Sequence, residues 1–403
     1  MLLLLITLVL NLFNNRFFFY VDYVGFFLLL LRFITFFFCF YLTENRLRLK
    51  SLFLASVFFF VSNNLLCFFF FFEFMVIPIF VIVFLIGGYR DRFMAGVYFV
   101  LYTFFSCVPF FIFVVWFFFK GETIFHSLTG AGLGDFFLFV VILGFLVKIP
   151  VYPFHLWLVK THLEAPVYGS MILAGILIKT GVYGFYRLRF FLYRAGFYLT
   201  DFFSFICLLG SIIVSFYCLR LHDIKLLIAS SSIVHMCLFI FGFFHFSFYR
   251  VFFCVIFIMR HGFASSGFFF ISGNIYDTCK RRRFLLSKSF LYFNPLLCIF
   301  LLFFSLFNIS FPPSINFFSE VRMVAVRVRF RFFLIPFIFI FCLLSGSYCV
   351  FIYSVLIRGS RALRFGSYFL NGFSSYILLG HFFPLSFFFF FCTLFLKFSL
   401  ILK

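Results

Sequence analysis

The chain has 403 residues, 66% of them apolar and 11% charged, with a mean hydropathy of +1.23. A soluble protein carries roughly 45–50% apolar and 25% charged residues, so a water-soluble globule is excluded. The 89 phenylalanines exclude an unfolded chain, since so many aromatics cannot stay solvated. Lys and Arg outnumber Asp and Glu by 32 to 11, a net charge of +21, but the cations sit in short clusters between long apolar runs. That distribution is membrane topology signalling, not a nucleic-acid-binding face.

Crossing the hydrocarbon takes about 20 apolar residues in a helix. On that length, spans are expected at 2–13 (short), 19–42, 51–63 (short), 65–88, 93–119, 134–158, 166–186, 200–219, 224–244, 251–273, 290–321, 332–357 and 374–396. The runs are continuously apolar and lack the two-residue alternation of a barrel. The fold class is therefore an all-α polytopic membrane protein with about thirteen transmembrane helices, some of them discontinuous. Met1 to Phe13 reads as a short first span and not a cleaved signal, because it has no basic n-region and no small-residue cleavage pattern follows. The longest polar loop, Lys120 to Asp135, is too small to fold alone. If the helices alternate in direction, one side collects 16 Lys and Arg, at 46–50, 90–92, 160, 220–225, 280–288 and 358–364, and the other 11, in loops at 120, 187–194, 250, 322–331 and 397–403, and the richer side is the side of synthesis. Phe in place of Leu and Val points to a T-rich coding bias, as in some organelle genomes. Twelve cysteines stand singly from Cys39 to Cys392 with no C-x-x-C pair, which supports neither a disulfide framework nor an iron-sulfur or zinc site.

An ionisable group in the middle of a span costs about 2.5–3.5 kcal/mol even on the gentle insertion scale, so it faces a wet or paired interior. Five such positions stand out: Glu73, Lys148, Lys179, His261 and Glu320. Singly, each could snorkel or hold helices together in an ion pair. Five together, of both signs and with no cofactor motif anywhere, favour a transport path. Burial favours the neutral form of carboxylates and lysines alike, which brings their proton affinities together; an adjacent opposite charge reverses this, so moving that charge switches the site.

Broken helices are the second signal. Pro150 and Pro153 follow Lys148, and Pro312 and Pro313 precede Glu320. Proline removes a backbone donor, and in membranes such breaks survive where protein or water satisfies the freed groups. Paired interruptions in two halves of a chain mark a pathway. Glu73 to Pro150 and His235 to Pro312 are both 77 residues apart.

The other histidines read as follows. His155 and His162 share a helix face with Glu164 close by, so a metal site is conceivable, but hydrogen bonds to loop backbone at the membrane edge suit them better. His235, after the serine run Ser230 to Ser232, could join a water wire or satisfy a neighbouring carbonyl. His126, His222, His245 and His381 lie near expected helix ends and read as interfacial. Catalytic templates fail: TGAGLGD (129–135) misses the dinucleotide spacing, and there is neither a phosphate loop nor a G-x-S-x-G.

Several segments together resemble a known family: GGYRDRFMAGVYFVLYTFFSCVPFF (87–111), FLVKIPVYPFHLWLVKTHLEAPVYGSMILAGILIKTGVYGFYRL (145–188), HDIKLLIASSSIVHM (222–236), HGFASSG (261–267) and FPPSINFFSE (311–320). They are similar to the antiporter-like proton-pumping subunits of mitochondrial NADH-ubiquinone oxidoreductase (respiratory complex I), in particular the chain 4 family. The HLWL-x-K-x-H-x-EAP stretch with the following GSM-x-LA is the most specific of them.

The resemblance implies a subunit of the mitochondrial inner membrane built from two inverted five-helix repeats. It divides the chain into amino-terminal helices (1–50), a first repeat (51–190), a second repeat (199–357) and a carboxy-terminal helix and tail (358–403). It implies no cofactor or metal on this chain, with NADH, FMN, iron-sulfur clusters and ubiquinone in partner subunits. The implied partners are the other membrane-arm subunits, among them the other antiporter-like chains, and membrane lipids, with no nucleic acid. By position, Glu73 matches the carboxylate that pairs with the broken-helix lysine, here Lys148. Lys179 matches the connecting lysine, His261 a central-axis histidine and Glu320 the exit-side carboxylate.

Two features depart from the family pattern. The amino terminus is shorter than usual, with one short span ahead of residue 19, as if an early helix were lost. Arg260 stands where a small or apolar residue is expected; a cation beside His261 opposes its protonation unless it points away, toward lipid or another subunit. Two rival readings remain: a stand-alone cation/proton antiporter, and a non-pumping structural subunit whose buried charges hold helices together.

Overall fold

A computed structural model describes residues 20–43, 46–88, 91–120, 135–189, 197–243, 248–279, 282–284, 294–312, 314–330, 332–357 and 372–401. The chain forms two compact units, Met1–Phe203 and Ser204–Lys403. Among the described residues the regular structure is helical, apart from isolated bridges such as Asp223 with Arg283.

The first unit contains α1 (Tyr23–Leu42), α2 (Arg46–Val61), α3 (Leu65–Phe74), α4 (Val76–Ile86), α5 (Arg92–Phe119), α6 (Asp135–Lys148), α7 (Leu156–Glu164) and α8 (Val167–Arg187). The second contains most of α9 (Phe197–Arg220), then α10 (Ile224–Phe243), α11 (Phe248–Cys279), α12 (Pro295–Ile309), α13 (Ile315–Phe330), α14 (Ile335–Ile357) and α15 (Gly372–Ile401). Local chemistry sets several starts: the Asn64 side chain accepts from Leu66 N at 3.0 Å, and Pro295 opens α12 where its missing N–H costs nothing.

Among the described residues, eight helices are long and apolar enough to cross a membrane by length and composition. The run 290–321 is cut at Ser310, the run 134–158 at residues 149–155, and 2–13 lies outside the described residues. The stretch 322–331, counted in the sequence as a connecting loop for its arginines, is helix as far as Phe330. Arg is a good helix former, so α13 runs on once it has restarted after the break.

Burial ranks the helices. In α8, α10 and α11, 89%, 94% and 100% of the apolar window is buried, against 33% in α5 and in the Phe332–Ile357 span. A helix apolar all round belongs inside, and these inner helices are the ones that carry Lys179, His235 and His261. α5 presents Phe104, Phe105 and Phe119 outward, as a lipid-facing surface would.

Close approach of α8 to α6 depends on missing side chains. A Cβ on Gly181 would lie 3.1 Å from the Lys148 Cβ, and one on Gly184 would lie 2.1 Å from Phe145 Cε1. Phe145 cannot swing aside, because its ring is packed between Phe72 and Phe110 at centroid distances of 5.2 and 4.8 Å. Gly184→Ala is therefore expected to cost about 1–3 kcal/mol by overpacking. Quantitative native electrophoresis should show less assembled protein, while Gly346→Ala, with nothing within 4 Å, should match wild type.

Candidate functional site

In the first unit the site is built at the break between α6 and α7. Pro150 and Pro153 bring no N–H, so the ladder stops after Ile149 N donates to Phe145 O at 2.7 Å. The Trp157 indole N–H takes the Val147 carbonyl at 2.9 Å, which satisfies a group the break has freed. Lys148, at the last turn of α6, is 1% exposed; its Nζ donates to Phe72 O at 2.8 Å and to Glu73 Oε1 at 3.1 Å, and lies 3.1 Å from the Phe72 ring centroid. The Glu73 side chain is 28% exposed, so the pair has a buried cationic end and a partly open anionic end.

Lys179 is fully buried in α8 just past a π-helical turn, Leu173–Leu177. Such a turn shifts the backbone ladder, and here Lys179 Nζ donates to Ala174 O within it. The side chain is thus held by a backbone carbonyl in an apolar core.

In the second unit the break is at Ser310, whose φ of 63° is left-handed. Phe311 N donates to Leu306 O at 3.1 Å and Ser310 N to Phe307 O at 3.2 Å, the paired bonds that close a helix end. The chain restarts as α13 and brings in Glu320, whose side chain is 16% exposed. Oε1 of Glu320 accepts from Arg260 Nη1 and lies 3.7 Å from His235 Nδ1. On its other side His235 Nε2 lies 3.4 Å from the Tyr348 hydroxyl, and its ring is 5.8 Å from that of the buried His261.

The structure thus brings Glu73 to Lys148 in one unit, and His235, His261 and Glu320 together in the other. The remaining candidates, His155, His162 and Glu164, lie along α7. His155 stacks on Tyr152 at 5.6 Å, His162 is fully buried in α7 and Glu164 ends that helix. No group of three or more His, Cys, Asp or Glu that could hold a metal occurs among the described residues. The hydroxyls of Ser230, Ser231 and Ser232 donate to carbonyls of their own helix at 2.6–3.0 Å.

Two readings of the sequence are corrected, and one left open is decided. Arg260 is 4% exposed and turned toward Glu320, not toward lipid. His381 is fully buried and its Nδ1 lies 2.8 Å from Ile377 O, so it is not interfacial; α15 runs on past it instead of ending there. His222 is exposed at a helix end as expected, while His126 and His245 lie outside the described residues. Arg187, counted among loop cations, is buried: it pairs with Asp22 at 3.2 Å and donates to the Tyr183 hydroxyl at 2.8 Å and to Ser62 O at 3.2 Å. Its spacing carried a signal, since Tyr183 and Arg187 continue the Lys179 face at four-residue steps. Arg32 is fully buried between the rings of Phe36 and Phe53.

A helical membrane bundle with a lysine–carboxylate pair at a broken helix, and a second broken helix carrying a paired carboxylate, defines an antiporter-like membrane subunit. The family described as NADH:quinone oxidoreductase/Mrp antiporter, TM, matches residues 62–345. NADH-ubiquinone oxidoreductase chain 4 of Rhipicephalus sanguineus is 33% identical over 81% of this chain and 75% of its own. The Artemia franciscana counterpart is 34% identical over 73% and 75%, and that of Locusta migratoria 35% over 74% and 68%. The chain belongs to the NADH-ubiquinone oxidoreductase chain 4 family. Its fold is also that of a chain in respiratory complex I from Thermus thermophilus with bound NADH, with a TM-score of 0.82 and 22% identity over 91% of this chain and 80% of that one.

Proposed function

We propose that this chain translocates protons as a core membrane subunit of respiratory complex I in the mitochondrial inner membrane. Glu73, Lys148 and Lys179 serve in the first unit, and His235, His261 and Glu320 in the second. The observation that carries the reading is the Lys148–Glu73 pair at the α6–α7 break, one end dry and the other partly open. Electron transfer from NADH to ubiquinone, with FMN and iron-sulfur clusters, takes place in partner subunits and supplies the drive. Each proton lifted against about 100 mV requires about 2.3 kcal/mol. The partners are the other membrane-arm subunits and lipid.

Two experiments test this reading. Extraction in mild detergent should recover the chain in a large NADH-oxidising assembly; recovery of the chain alone, active in vesicles, would favour the stand-alone antiporter. Glu73→Gln removes the anion but keeps the shape, and proton translocation per assembled complex should fall about a hundredfold, as expected for loss of a proton-transfer group. Wild-type pumping by that variant would leave the charges as structural glue.

A further inference from the structure

We infer that Arg260 is a positioning residue for the second unit: a permanent counter-cation that keeps Glu320 as a standing anion and leaves the mobile proton to His235. The inference deepens the proton-path reading and rests on it. Its basis is a shared atom. Arg260 and His235 approach the same carboxylate oxygen, Oε1 of Glu320, but Arg260 is hydrogen-bonded to it while His235 Nδ1 stands at 3.7 Å.

The two units therefore hold chemically different pairs. Lys148 and Glu73 can each gain or lose a proton, so that pair can pass one between its members. A guanidinium does not deprotonate in proteins, so Arg260 can neither accept a proton from Glu320 nor give one to it. An ionised carboxylate bonded to a fixed cation is a poor proton acceptor. The titratable group beside the pair is His235, buried, with Tyr348 Oη at 3.4 Å on one side and the His261 ring at 5.8 Å on the other. Arg260 also lines a small cavity with Asn316 and Pro384.

The test is proton translocation per assembled complex in inner-membrane vesicles, since a merely structural role would change the amount of complex and not this quantity. Arg260→Met leaves a bare anion and Glu320→Gln a bare cation, and each should lower the rate about threefold or more. Combining Arg260→Met with Glu320→Gln removes both charges, and the rate should rise about twofold or more above that of either single variant. Arg260→Lys keeps a cation beside Glu320 but loses the fixed guanidinium, so it should lower the rate less than Arg260→Met does, and it serves if the Met variant assembles poorly. His235→Gln should lower the rate with or without the double change. A double variant as slow as Glu320→Gln alone would make Glu320 the carrier and overturn the inference, as would normal pumping by Arg260→Met. Lys148→Ala, measured alongside, separates the claims: a normal rate there overturns the proton-path reading itself. A lowered rate there with a normal one in Arg260→Met overturns only the role given to Arg260.

Discussion

Lys148→Met should lower both proton translocation and coupled quinone reductase activity by about a hundredfold or more, the range lost when a positioned proton-transfer group is removed. The side chain is enclosed by Phe72 and by the α8 face that Gly181 leaves open, so Met fills the space and the effect reads as loss of the ammonium. Assembly should persist. Glu73, the partner left behind, is 28% exposed on its side chain and can be rehydrated, whereas a fully enclosed anion could not. Activity assayed against complex content on native gels separates the two effects, and a variant that assembles and pumps normally would rule out Lys148 as a proton-path residue.

Arg187→Ala should produce the largest loss of stability, about 3–5 kcal/mol, because it breaks a buried charge pair from one side. The guanidinium joins three segments at the end of α8: it meets Asp22 just before α1, the Ser62 carbonyl after α2 and the Tyr183 hydroxyl one turn back. Tyr183 in turn donates to Phe60 O at 3.1 Å, so the cluster anchors the helix that carries Lys179. Thermal denaturation of the detergent-extracted complex should show a lowered midpoint and less assembled protein. Replacing both partners with Arg187→Met and Asp22→Asn should restore much of the loss, since no unpaired charge then remains buried. Tyr183→Phe, which removes one neutral donor, should cost only about 1 kcal/mol.

The same division separates what was legible along the chain from what was not. Glu73, Lys148 and Lys179 could be singled out because a charge inside an apolar run is visible without knowing its partner. The breaks after Lys148 and before Glu320 could be read because proline acts on its own backbone. Arg260 could be noticed as out of place, but its direction could not be read: successive helical residues diverge by about 100 degrees, and only the neighbouring helix decides which side is occupied. Arg187 was hidden for another reason, since a basic residue at a helix end has the composition of a topology signal until Asp22 is seen beside it.

By itself, then, the sequence determined the solvent this protein lives in, its helical class, the places where its helices break and the short list of charges too costly to be accidental. All of these depend on residues within a turn or two of one another, or on the length of an apolar run. Only the tertiary structure decided which charges meet. Arg260 holds Glu320, Arg187 holds Asp22, and His235 stands between Glu320 and Tyr348 because separate helices pack those side chains into one interior. Coulomb interaction in a low-dielectric core depends steeply on distance, and the distances between remote residues are set by packing.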